Sequence, residues 1–428
     1  MNRRHFYLGA TAALSSSRVW GANERVQMGI IGLGGRGTDH LKTYLNIPQA
    51  HVVALCDVNQ AALEKSNASV TRAGNPKAKE YRDMRELLAD KSVDAVSTAT
   101  PNHWHALTTI WACQAGKDVY CEKPATHNIH EGWRVIDVAR KTGRMVQIGS
   151  QSRTTGYKMR AMKLLEQGVI GKLYLAKGLC FKRRKSIGKT PEQDTPPGID
   201  WKLFLGPAPE RRFTKNRFAY NWHWFWDTGN GDLGNQGVHQ MDIALWGMGI
   251  KTFPRAVVST GGKFVYDDDQ ETPNTQHATY TYDSGVEVQF EVRGLMTGGE
   301  GPVGVGKPNQ AIGNLFYGSE GWMWVGNDGF QVFKGEQNEK VMDEKAERGS
   351  DTQPHMENFL QAVKSRKYQE LTADIEIGAL AAAYCHLANV SYRVGGRRLE
   401  WDAAKRQFAG AADANKLISR EYRKPYAV

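Results

Sequence analysis

The chain has 428 residues, of which 40% are hydrophobic and 24% charged, and its formal net charge at pH 7 is +11. One hydrophobic core usually stops growing at about 250–300 residues, so two domains are expected. The basic excess forms no stripe of Lys and Arg along a helix, which argues against nucleic-acid binding, and no apolar run reaches the ~18 residues that indicate a stable membrane span.

The first residues are predicted to be an export signal. A twin arginine, Arg3-Arg4, precedes a short apolar stretch that ends near Leu14, and this arrangement resembles a bacterial twin-arginine signal. We expect residues 1–22 to form the signal and the mature protein to be periplasmic or otherwise exported. This route carries proteins that are already folded, so an enzyme exported in this way can bring a bound cofactor with it.

From Val26 to Gly149, apolar strands alternate with helical segments. The alternation is typical of a parallel sheet with helices on both faces, and it predicts an N-terminal Rossmann domain over residues 23–150. One strand begins at Val26, and the other predicted strands are His51–Cys56, Ala95–Ala99, Asp118–Cys121 and Met145–Ile148. The predicted helices are Thr38–Leu45, Ala61–Ala73, Met84–Leu88, His105–Ala115 and His130–Thr142.

Beyond about Gly171 the pattern changes to the period-two alternation of half-buried strands. A hairpin is predicted over residues 279–292 around the turn Asp283-Ser284-Gly285, and a meander over residues 314–333. Residues 151–428 are therefore predicted to form an α+β domain with a largely antiparallel sheet. A late alanine-rich helix, Ile375–Val394, is expected to pack back across the domains.

The cysteines and the basic runs are interpreted as structural features. The cysteines are odd in number, scattered and without metal-ligand spacing, so we expect free thiols in the core and no bound metal. They are Cys56, Cys113, Cys121, Cys180 and Cys385. The basic runs at residues 182–185 and 211–212 are interpreted as solvated loops.

A glycine-rich turn follows the first strand and opens the first helix. Its sequence, Gly32-Leu33-Gly34-Gly35-Arg36-Gly37, has the G-x-G-x-x-G spacing of dinucleotide-binding sites. In such sites the first glycine allows a tight turn, the second lets the pyrophosphate approach the backbone, and the third lets the helix pack closely on the sheet. Free N–H groups and the positive end of the helix dipole then face the phosphates.

An acidic residue at the end of the second strand favours NAD as the cofactor. Asp57 lies twenty residues after Gly37, where a carboxylate accepts hydrogen bonds from the adenosine ribose hydroxyls. The same carboxylate repels a ribose phosphate, so NAD is preferred to NADP. Arg36 leaves NADP open as the alternative cofactor, because a guanidinium can contact the ribose phosphate.

Two further stretches resemble one family. The strand Ala95–Ala99 is followed by residues 100–105, Thr-Pro-Asn-His-Trp-His, and the strand Asp118–Cys121 by Glu122-Lys123-Pro124. With the glycine motif they resemble the Gfo/Idh/MocA family, the group of glucose–fructose oxidoreductase and inositol dehydrogenase. The resemblance implies a second domain with a large open sheet, which supplies the substrate site on one side and often an oligomer interface on the other. It thus implies a carbohydrate substrate and a homo-oligomer, either a dimer or a tetramer.

The resemblance also implies roles for residues around the nicotinamide. Lys123 matches the family's catalytic lysine, whose ammonium hydrogen-bonds the hydroxyl that is oxidised and assists its deprotonation. His105, or alternatively His103, is expected to line the site. The implied cofactor contacts are Thr100, Pro101, Asn102, His105, Glu122 and Lys123.

Residues 231–242 contain a second cluster, which resembles the family's common Asp-x-Gly-x-His pattern. His239 matches the histidine that serves as general acid or base, and Asn235 replaces the aspartate that grips the substrate. An amide cannot take a proton as a carboxylate can, so His239 is expected to carry more of the proton transfer. Asp242 is expected either to orient this imidazole or to join a structural network.

An aromatic run precedes this cluster. Aromatic faces bind the C–H faces of sugar rings while neighbouring polar groups take the hydroxyls, although aromatic residues also commonly fill a core. The candidate substrate contacts are Trp222, His223 and Trp224.

Three functions stay open from the sequence. The first is a sugar or polyol dehydrogenase. The second, prompted by export to a compartment with little free dinucleotide, is a redox-neutral cycle with tightly bound NAD, either a sugar–sugar oxidoreductase or an NAD-dependent glycosidase. The third is a sugar-binding protein without chemistry, which the presence of both Lys123 and His239 disfavours.

Overall fold

The computed structural model describes residues 25–298, 310–347, 349 and 351–428. The predicted export signal, residues 1–22, lies outside the described residues. Within these ranges no helix has the length and apolar character needed to cross a bilayer. All five cysteines are buried and unpaired, as predicted.

The first domain is a parallel sheet covered by helices, as predicted, and its six strands include the short strand Lys79–Tyr81, which was not predicted. Its strands are β1 (Val26–Ile31), β2 (Ala50–Cys56), β3 (Lys79–Tyr81), β4 (Ala95–Thr98), β5 (Asp118–Cys121) and β6 (Val146–Ile148). Its helices are α1 (Gly35–Leu45), α2 (Gln60–Arg72), α3 (Met84–Ala89), α4 (Asn102–Gln114) and α5 (Ile129–Thr142). The strands lie in the order β3-β2-β1-β4-β5-β6, and every pair is parallel.

This strand order places a ligand crevice at one edge of the sheet. The order reverses between β1 and β4, and in doubly wound sheets ligands bind beyond the carboxyl ends of the strands at such a reversal. Strands β4 and β5 are buried along their whole length, because helices cover both faces of the sheet. Two predicted helix starts shift towards the N-terminus, to Gly35 for α1 and to Asn102 for α4, since each turn leads directly into its helix.

The second domain is built on a ten-stranded sheet. Its strands are β7 (Leu173–Lys182), β8 (Ala256–Gly262), β9 (Thr275–Thr281), β10 (Glu287–Arg293), β11 (Gln310–Gly318), β12 (Gly321–Gly326), β13 (Gly329–Lys334), β14 (Glu339–Lys345), β15 (Leu399–Asp402) and β16 (Gln407–Phe408). Their order is β14-β13-β12-β11-β7-β10-β9-β8-β15-β16. Only β7 and β10 pair in parallel among the described strands of this sheet, so the predicted antiparallel character is confirmed.

One face of this sheet is covered by helices. Helices α6 (Gly156–Glu166), α9 (Gly237–Gly247) and α11 (Ile375–Arg393) pack on it around a core that includes Phe290 and Phe316. The opposite face carries a second apolar cluster, in which Leu179, Phe181 and Leu315 pack with Trp322 and Trp324. The remaining short helices are α7 (Trp201–Leu205), α8 (Gly231–Asn235) and α12 (Ala412–Asn415).

Helix α10 (Thr352–Ser365) returns from the second domain to the first. Its apolar residues at 356, 359, 360 and 363 pack in the Rossmann core with Met28, Ile30 and Tyr120. This helix was not among the sequence predictions, although the spacing i, i+3, i+4, i+7 is that of an amphipathic helix. Helix α11 then packs on α5 and reaches β6.

Residues 198–222, the covering segment, extend from the second domain over the first. Gly198 O accepts a hydrogen bond from Gln60 N at 2.9 Å, and Asp200 N donates to Val58 O at 2.9 Å. An aromatic cluster of Trp201, Phe204, Phe213 and Phe218 stabilises the segment. These contacts attach the segment to the loop that follows β2, beside the predicted dinucleotide site.

Candidate active site

The glycine-rich turn has the shape that a dinucleotide requires. Gly32 adopts φ +79°, and a Cβ there would lie 2.9 Å from Thr100 N; a Cβ on Gly37 would lie 1.7 Å from Gly32 O. Both positions therefore require glycine for the packing of α1 against the sheet. A Cβ on Gly34 or Gly35 would meet no atom within 4 Å, so the backbone there faces open space that phosphates can occupy.

Asp57 lies at the carboxyl end of β2, next to this turn. Its Oδ2 accepts a hydrogen bond from Leu33 N at 2.6 Å, and its Oδ1 accepts one from Asn59 N at 2.8 Å. Burial raises the pKa of Asp57, and these two backbone bonds oppose the shift. Each carboxylate oxygen keeps a further lone pair with which it can accept a ribose hydroxyl.

A cavity of about 220 Å³ opens between the turn and the covering segment. From the first domain it is lined by Gly32, Gly34, Asp57, Thr100 and Pro101, among others. From the covering segment it is lined by Leu203, Phe204, Phe218, Ala219 and Trp222. The covering segment thus forms a lid of largely apolar side chains over the predicted adenosine side of the site, which sequence reasoning did not foresee.

Three predicted contacts near β4 have protein partners instead of facing this cavity. Asn102 is buried, and its Nδ2 donates to Asn230 Oδ1 at 2.9 Å. The ring nitrogens of His105 lie 2.6 Å from Pro124 O and 2.8 Å from Thr100 O. Those of His103 lie 3.4 Å from Thr228 O and 3.0 Å from Phe204 O. These side chains therefore hold the loops around the site in place.

Glu122 is the centre of a buried polar network. It accepts hydrogen bonds from Arg36 Nε at 2.8 Å, His40 Nε2 at 3.0 Å and Gln151 Nε2 at 3.1 Å. Burial alone would raise the pKa of Glu122, but the charge of Arg36 and the bond from His40 outweigh it and hold the pKa well below its ordinary value. Glu122 is thus an anion directly beside Lys123.

The ammonium of Lys123 meets Asn235 across the domain boundary. Its Nζ lies 3.1 Å from Asn235 O and 3.3 Å from Asn235 Oδ1. Burial lowers the pKa of Lys123, while the charge of Glu122 acts in the opposite direction. The structure therefore brings together two predicted residues that lie 112 positions apart in the sequence, the lysine after β5 and the amide at the end of α8.

Asn235 connects the lysine to a tyrosine and an arginine that sequence reasoning missed. Asn235 Nδ2 donates to the hydroxyl of Tyr220 at 3.3 Å, and Arg184 Nη1 donates to the same hydroxyl at 3.0 Å. Arg184 also forms a two-point ion pair with Asp232, at 2.8 and 2.7 Å. The interpretation of residues 182–185 as a solvated loop is therefore wrong for Arg184. Arg184 lies two residues beyond the end of β7, and no sequence pattern distinguished it from the neighbouring basic residues.

Two imidazoles lie in the electrostatic field of this lysine. Burial and the charge of Lys123 lower the pKa of His239 to about 3. Burial lowers the pKa of His223 to about 3, with a contribution from Lys123. Both rings are therefore neutral at pH 7. His223 Nδ1 donates to Tyr220 O at 2.6 Å, which leaves its Nε2 as an acceptor, and the ring of His239 has no hydrogen-bond partner in the described part of the chain.

The other predicted substrate contacts divide into two groups. Trp222 lines the cavity and stacks on His223, with ring centroids 3.6 Å apart. Trp224 is buried beneath Arg184, whose guanidinium lies 5.2 Å from its ring. Asp242 forms a two-point ion pair with Arg153 at 2.8–3.0 Å, so of the two expectations for Asp242, the structural network is the one observed.

Comparison with protein families accounts for both domains. Residues 26–150 match the Gfo/Idh/MocA model that describes an oxidoreductase family with an NAD-binding Rossmann fold. Residues 206–323 match a Gfo/Idh/MocA C-terminal domain, and residues 318–428 match the C-terminal alpha/beta domain of the oxidoreductase family. The chain belongs to the Gfo/Idh/MocA family. The resemblance drawn from the Glu-Lys-Pro and glycine motifs is thereby confirmed.

Two curated relatives match part of the chain. A glycosyl hydrolase family 109 protein of Saccharopolyspora erythraea is 31% identical over 218 residues, which are 50% of this chain and 42% of that protein. Inositol 2-dehydrogenase of Salmonella typhimurium is 34% identical over 180 residues, 41% of this chain and 50% of that protein. The matched segments thus span at most half the length of these relatives.

A solved structure matches the fold over most of the chain. The WlbA dehydrogenase from Bordetella pertussis, in complex with NADH and UDP-GlcNAcA, superposes with a TM-score of 0.66 at 20% identity. The superposition covers 89% of this chain and 98% of that one. At this identity the likeness establishes the two-domain fold.

Proposed function

We propose that this protein is an NAD-dependent oxidoreductase that acts on a hydroxyl group of a sugar, polyol or sugar derivative. The observation that carries the proposal is the convergence of Lys123, Asn235 and two neutral imidazoles beside the glycine-rich turn. The match to inositol 2-dehydrogenase supports a polyhydroxylated substrate.

The cofactor we propose is NAD rather than NADP. The free backbone at Gly34 and Gly35 would hold the pyrophosphate, and Asp57 would accept the adenosine ribose hydroxyls. Arg36 is engaged by Glu122 at 2.8 Å, so its charge is already balanced and offers little to a ribose phosphate. When bound, the nicotinamide supplies the acceptor for the substrate hydride.

The protein's own residues then position the substrate and move protons. Lys123 holds the hydroxyl that is oxidised. Its lowered pKa increases the fraction of neutral amine, the form that can accept the hydroxyl proton. His239, neutral and without a protein partner, is a second acceptor for this proton. Tyr220 accepts from both Asn235 and Arg184, which leaves its own proton to donate to a substrate oxygen.

A redox-neutral cycle is the second candidate, and the covering segment favours it. Residues 198–222 close the cavity over the adenosine side of the site, which favours a tightly bound cofactor that takes a hydride and returns it within one turnover. The match to a glycosyl hydrolase family 109 protein supports a hydrolytic outcome. Export through the twin-arginine route, which we also propose, fits a cofactor that travels with the folded protein.

We further propose a homo-oligomer formed through the outer face of the large sheet. On the face opposite the helices, the partly exposed Trp322 and Trp324 pack against the buried side chains of Leu179, Phe181 and Leu315, and aromatic residues are enriched in protein interfaces. Size-exclusion chromatography with light scattering tests this proposal, and a monomer would contradict it.

Absorbance in the reduced-nicotinamide band distinguishes the two chemical candidates. For a redox-neutral enzyme, cofactor copurifies, its absorbance changes transiently when a panel of sugars and glycosides is added, and turnover needs no added NAD. For a simple dehydrogenase, turnover requires added NAD and accumulates the reduced form. A protein that binds sugars but shows neither behaviour would be a binding protein and would contradict both proposals.

Lys123→Met tests the site itself. We expect kcat to fall by about 10²–10⁴-fold or more, with NAD affinity unchanged, because the lysine acts on the substrate. Lys163→Met, which changes an exposed lysine on α6, is the matched control and should retain wild-type turnover. Full turnover by the Lys123→Met protein would refute the assigned role.

A further inference from the structure

A second cavity lies apart from the cofactor cavity and from the residues around Lys123. It has a volume of about 290 Å³ and lies between the start of α5, the C-terminal half of α11 and residues 416–421. Its charged lining groups are Asp227, Arg393, Lys416, Arg420 and Glu421. None of the residues assigned above to the nicotinamide or the substrate lines it.

The guanidinium of Arg420 lies at this cavity without a carboxylate partner. Its Nη1 donates to Asp227 O at 2.9 Å and to His127 Nδ1 at 3.1 Å, and no ion pair joins it to a carboxylate within the described ranges. Burial lowers the pKa of Arg420, because removal from water disfavours the charged guanidinium. A half-buried cation bonded only to neutral acceptors is stabilised by any anion that reaches its free N–H groups.

The nearby groups do not form an ion pair with this charge. His127 Nε2 lies 3.2 Å from Gly229 O and must donate to it, so Nδ1 faces Arg420 as the acceptor of a neutral ring. Burial and the charge of Arg420 accordingly hold the pKa of His127 well below its ordinary range. Glu131 uses its two oxygens for His127 N at 2.6 Å and the Tyr422 hydroxyl at 2.9 Å, and burial raises its pKa.

Two more cations face the same space. Arg393 lies over the ring of Trp226, 5.0 Å from its centroid, and neither Arg393 nor Lys416 forms an ion pair with another described residue. Of the two lining carboxylates, Asp227 is already bonded to Arg211 and lies 3.9 Å from Arg217. Three cations are thus left against the single carboxylate of Glu421.

We propose that this cavity is a binding site for a small oxyanion carried by a sugar, with Arg393, Lys416 and Arg420 as its ligands. The oxyanion is either a carboxylate, as in a uronate, or a phosphate, and both match the fork of N–H groups that arginine presents. Trp226, Val390 and Leu417 supply an apolar wall for the body of the ligand. The proposal is independent of the reaction at Lys123, since it rests on different residues.

Isothermal titration of the full-length protein, saturated with NAD so that the pyrophosphate site is filled, tests the proposal. The titrants are D-glucuronate, glucose 6-phosphate, inorganic phosphate and, as the neutral control, D-glucose. We expect the anionic sugars to bind with Kd of about 1 mM or tighter. D-glucose, the neutral control, should give no binding signal. A response to glucuronate alone identifies a carboxylate site, and a response to both phosphates identifies a phosphate site.

Variants locate the binding. Arg420→Gln and, separately, Arg393→Gln should weaken the anion by about tenfold or more, while Arg134→Gln, an exposed arginine on α5 outside the cavity, should leave the affinity unchanged. Arg393 is exposed, so its variant keeps the test valid if Arg420→Gln fails to fold. Absence of anion binding to the wild-type protein, or equal binding by both cavity variants, would overturn the proposal.

Discussion

At position 235 this chain carries an amide where the family's common pattern has a carboxylate. Asn235 can hold the ammonium of Lys123 and the hydroxyl of Tyr220 at the same time, but it can neither take a proton nor add a negative charge. The carboxylates that raise the pKa of Lys123 are Glu122 and Asp232. Glu122 is paired with Arg36, and Asp232 is paired with Arg184.

Asn235→Asp should therefore move the pH dependence of turnover. A carboxylate beside the ammonium raises the pKa of Lys123 relative to its lowered value in the native protein. Since the neutral amine is the active form, the acid limb of the kcat profile should move to higher pH, by about one unit. Asn235→Ala is the control and should not move the limb upwards; an unchanged limb in Asn235→Asp would show that Lys123 does not control it.

The proposed role of Tyr220, donation of its hydroxyl proton to a substrate oxygen, follows from the structure and was not predicted from the sequence. Tyr220→Phe keeps the ring and removes the hydroxyl, so we expect kcat to fall by about 10²-fold while NAD affinity and the urea midpoint stay unchanged. Ala219, which precedes this tyrosine and has a positive φ of 55°, lines the cavity. Tyr174→Phe, at an exposed tyrosine on β7, is the matched control. Wild-type kcat in Tyr220→Phe would remove Tyr220 from the reaction.

At the scale of elements, two glycines of the turn between β1 and α1 have different roles, one in packing and the other in the proposed binding of the cofactor. Gly37 has no room for a Cβ, whereas Gly34, with φ −64°, has open space. Gly37→Ala should thus destabilise the protein by about 3 kcal/mol or more. Gly34→Ala should change stability by less than about 0.5 kcal/mol but weaken NAD binding, because the methyl group occupies space that phosphate needs.

Urea denaturation and NAD titration of both variants check this separation. Equal destabilisation by the two alanines would show that the turn has a purely structural function. Normal NAD affinity in Gly34→Ala would contradict the position that we assign to the pyrophosphate.

At the scale of the whole molecule, several histidines are buried in neutral form. The pKa values of His103, His223 and His239 are lowered to about 3, and those of His355 and His386 to about 4, in each case chiefly by burial. Between these values and the ordinary value near 6.5, the unfolded chain binds protons that the folded protein excludes. The free energy of unfolding must therefore decrease as the pH falls below about 6.5.

Urea midpoints measured from pH 7.5 down to pH 4.5 test this dependence. Each such histidine contributes up to about 1.4 kcal/mol per pH unit. His386→Gln should reduce the slope of the unfolding free energy against pH by the amount that corresponds to about one bound proton. His277→Gln, at an exposed histidine, should leave this slope unchanged. A midpoint independent of pH over this interval would contradict the neutral burial of these rings.

The alternation of strands and helices in the first domain and the glycine turn were predictable from the sequence, because each depends on local patterns of a few residues. The candidates Lys123, Asn235 and His239 came from the resemblance of short motifs to those of the Gfo/Idh/MocA family. The tertiary structure alone decided what surrounds them. Arg184, Asp232 and Tyr220 meet Lys123 only because β7, α8 and the covering segment pack at the domain boundary. The covering of the cofactor cavity and the return of α10 to the Rossmann core likewise rest on contacts between distant residues. Such contacts depend on how whole elements pack, and no local pattern records them.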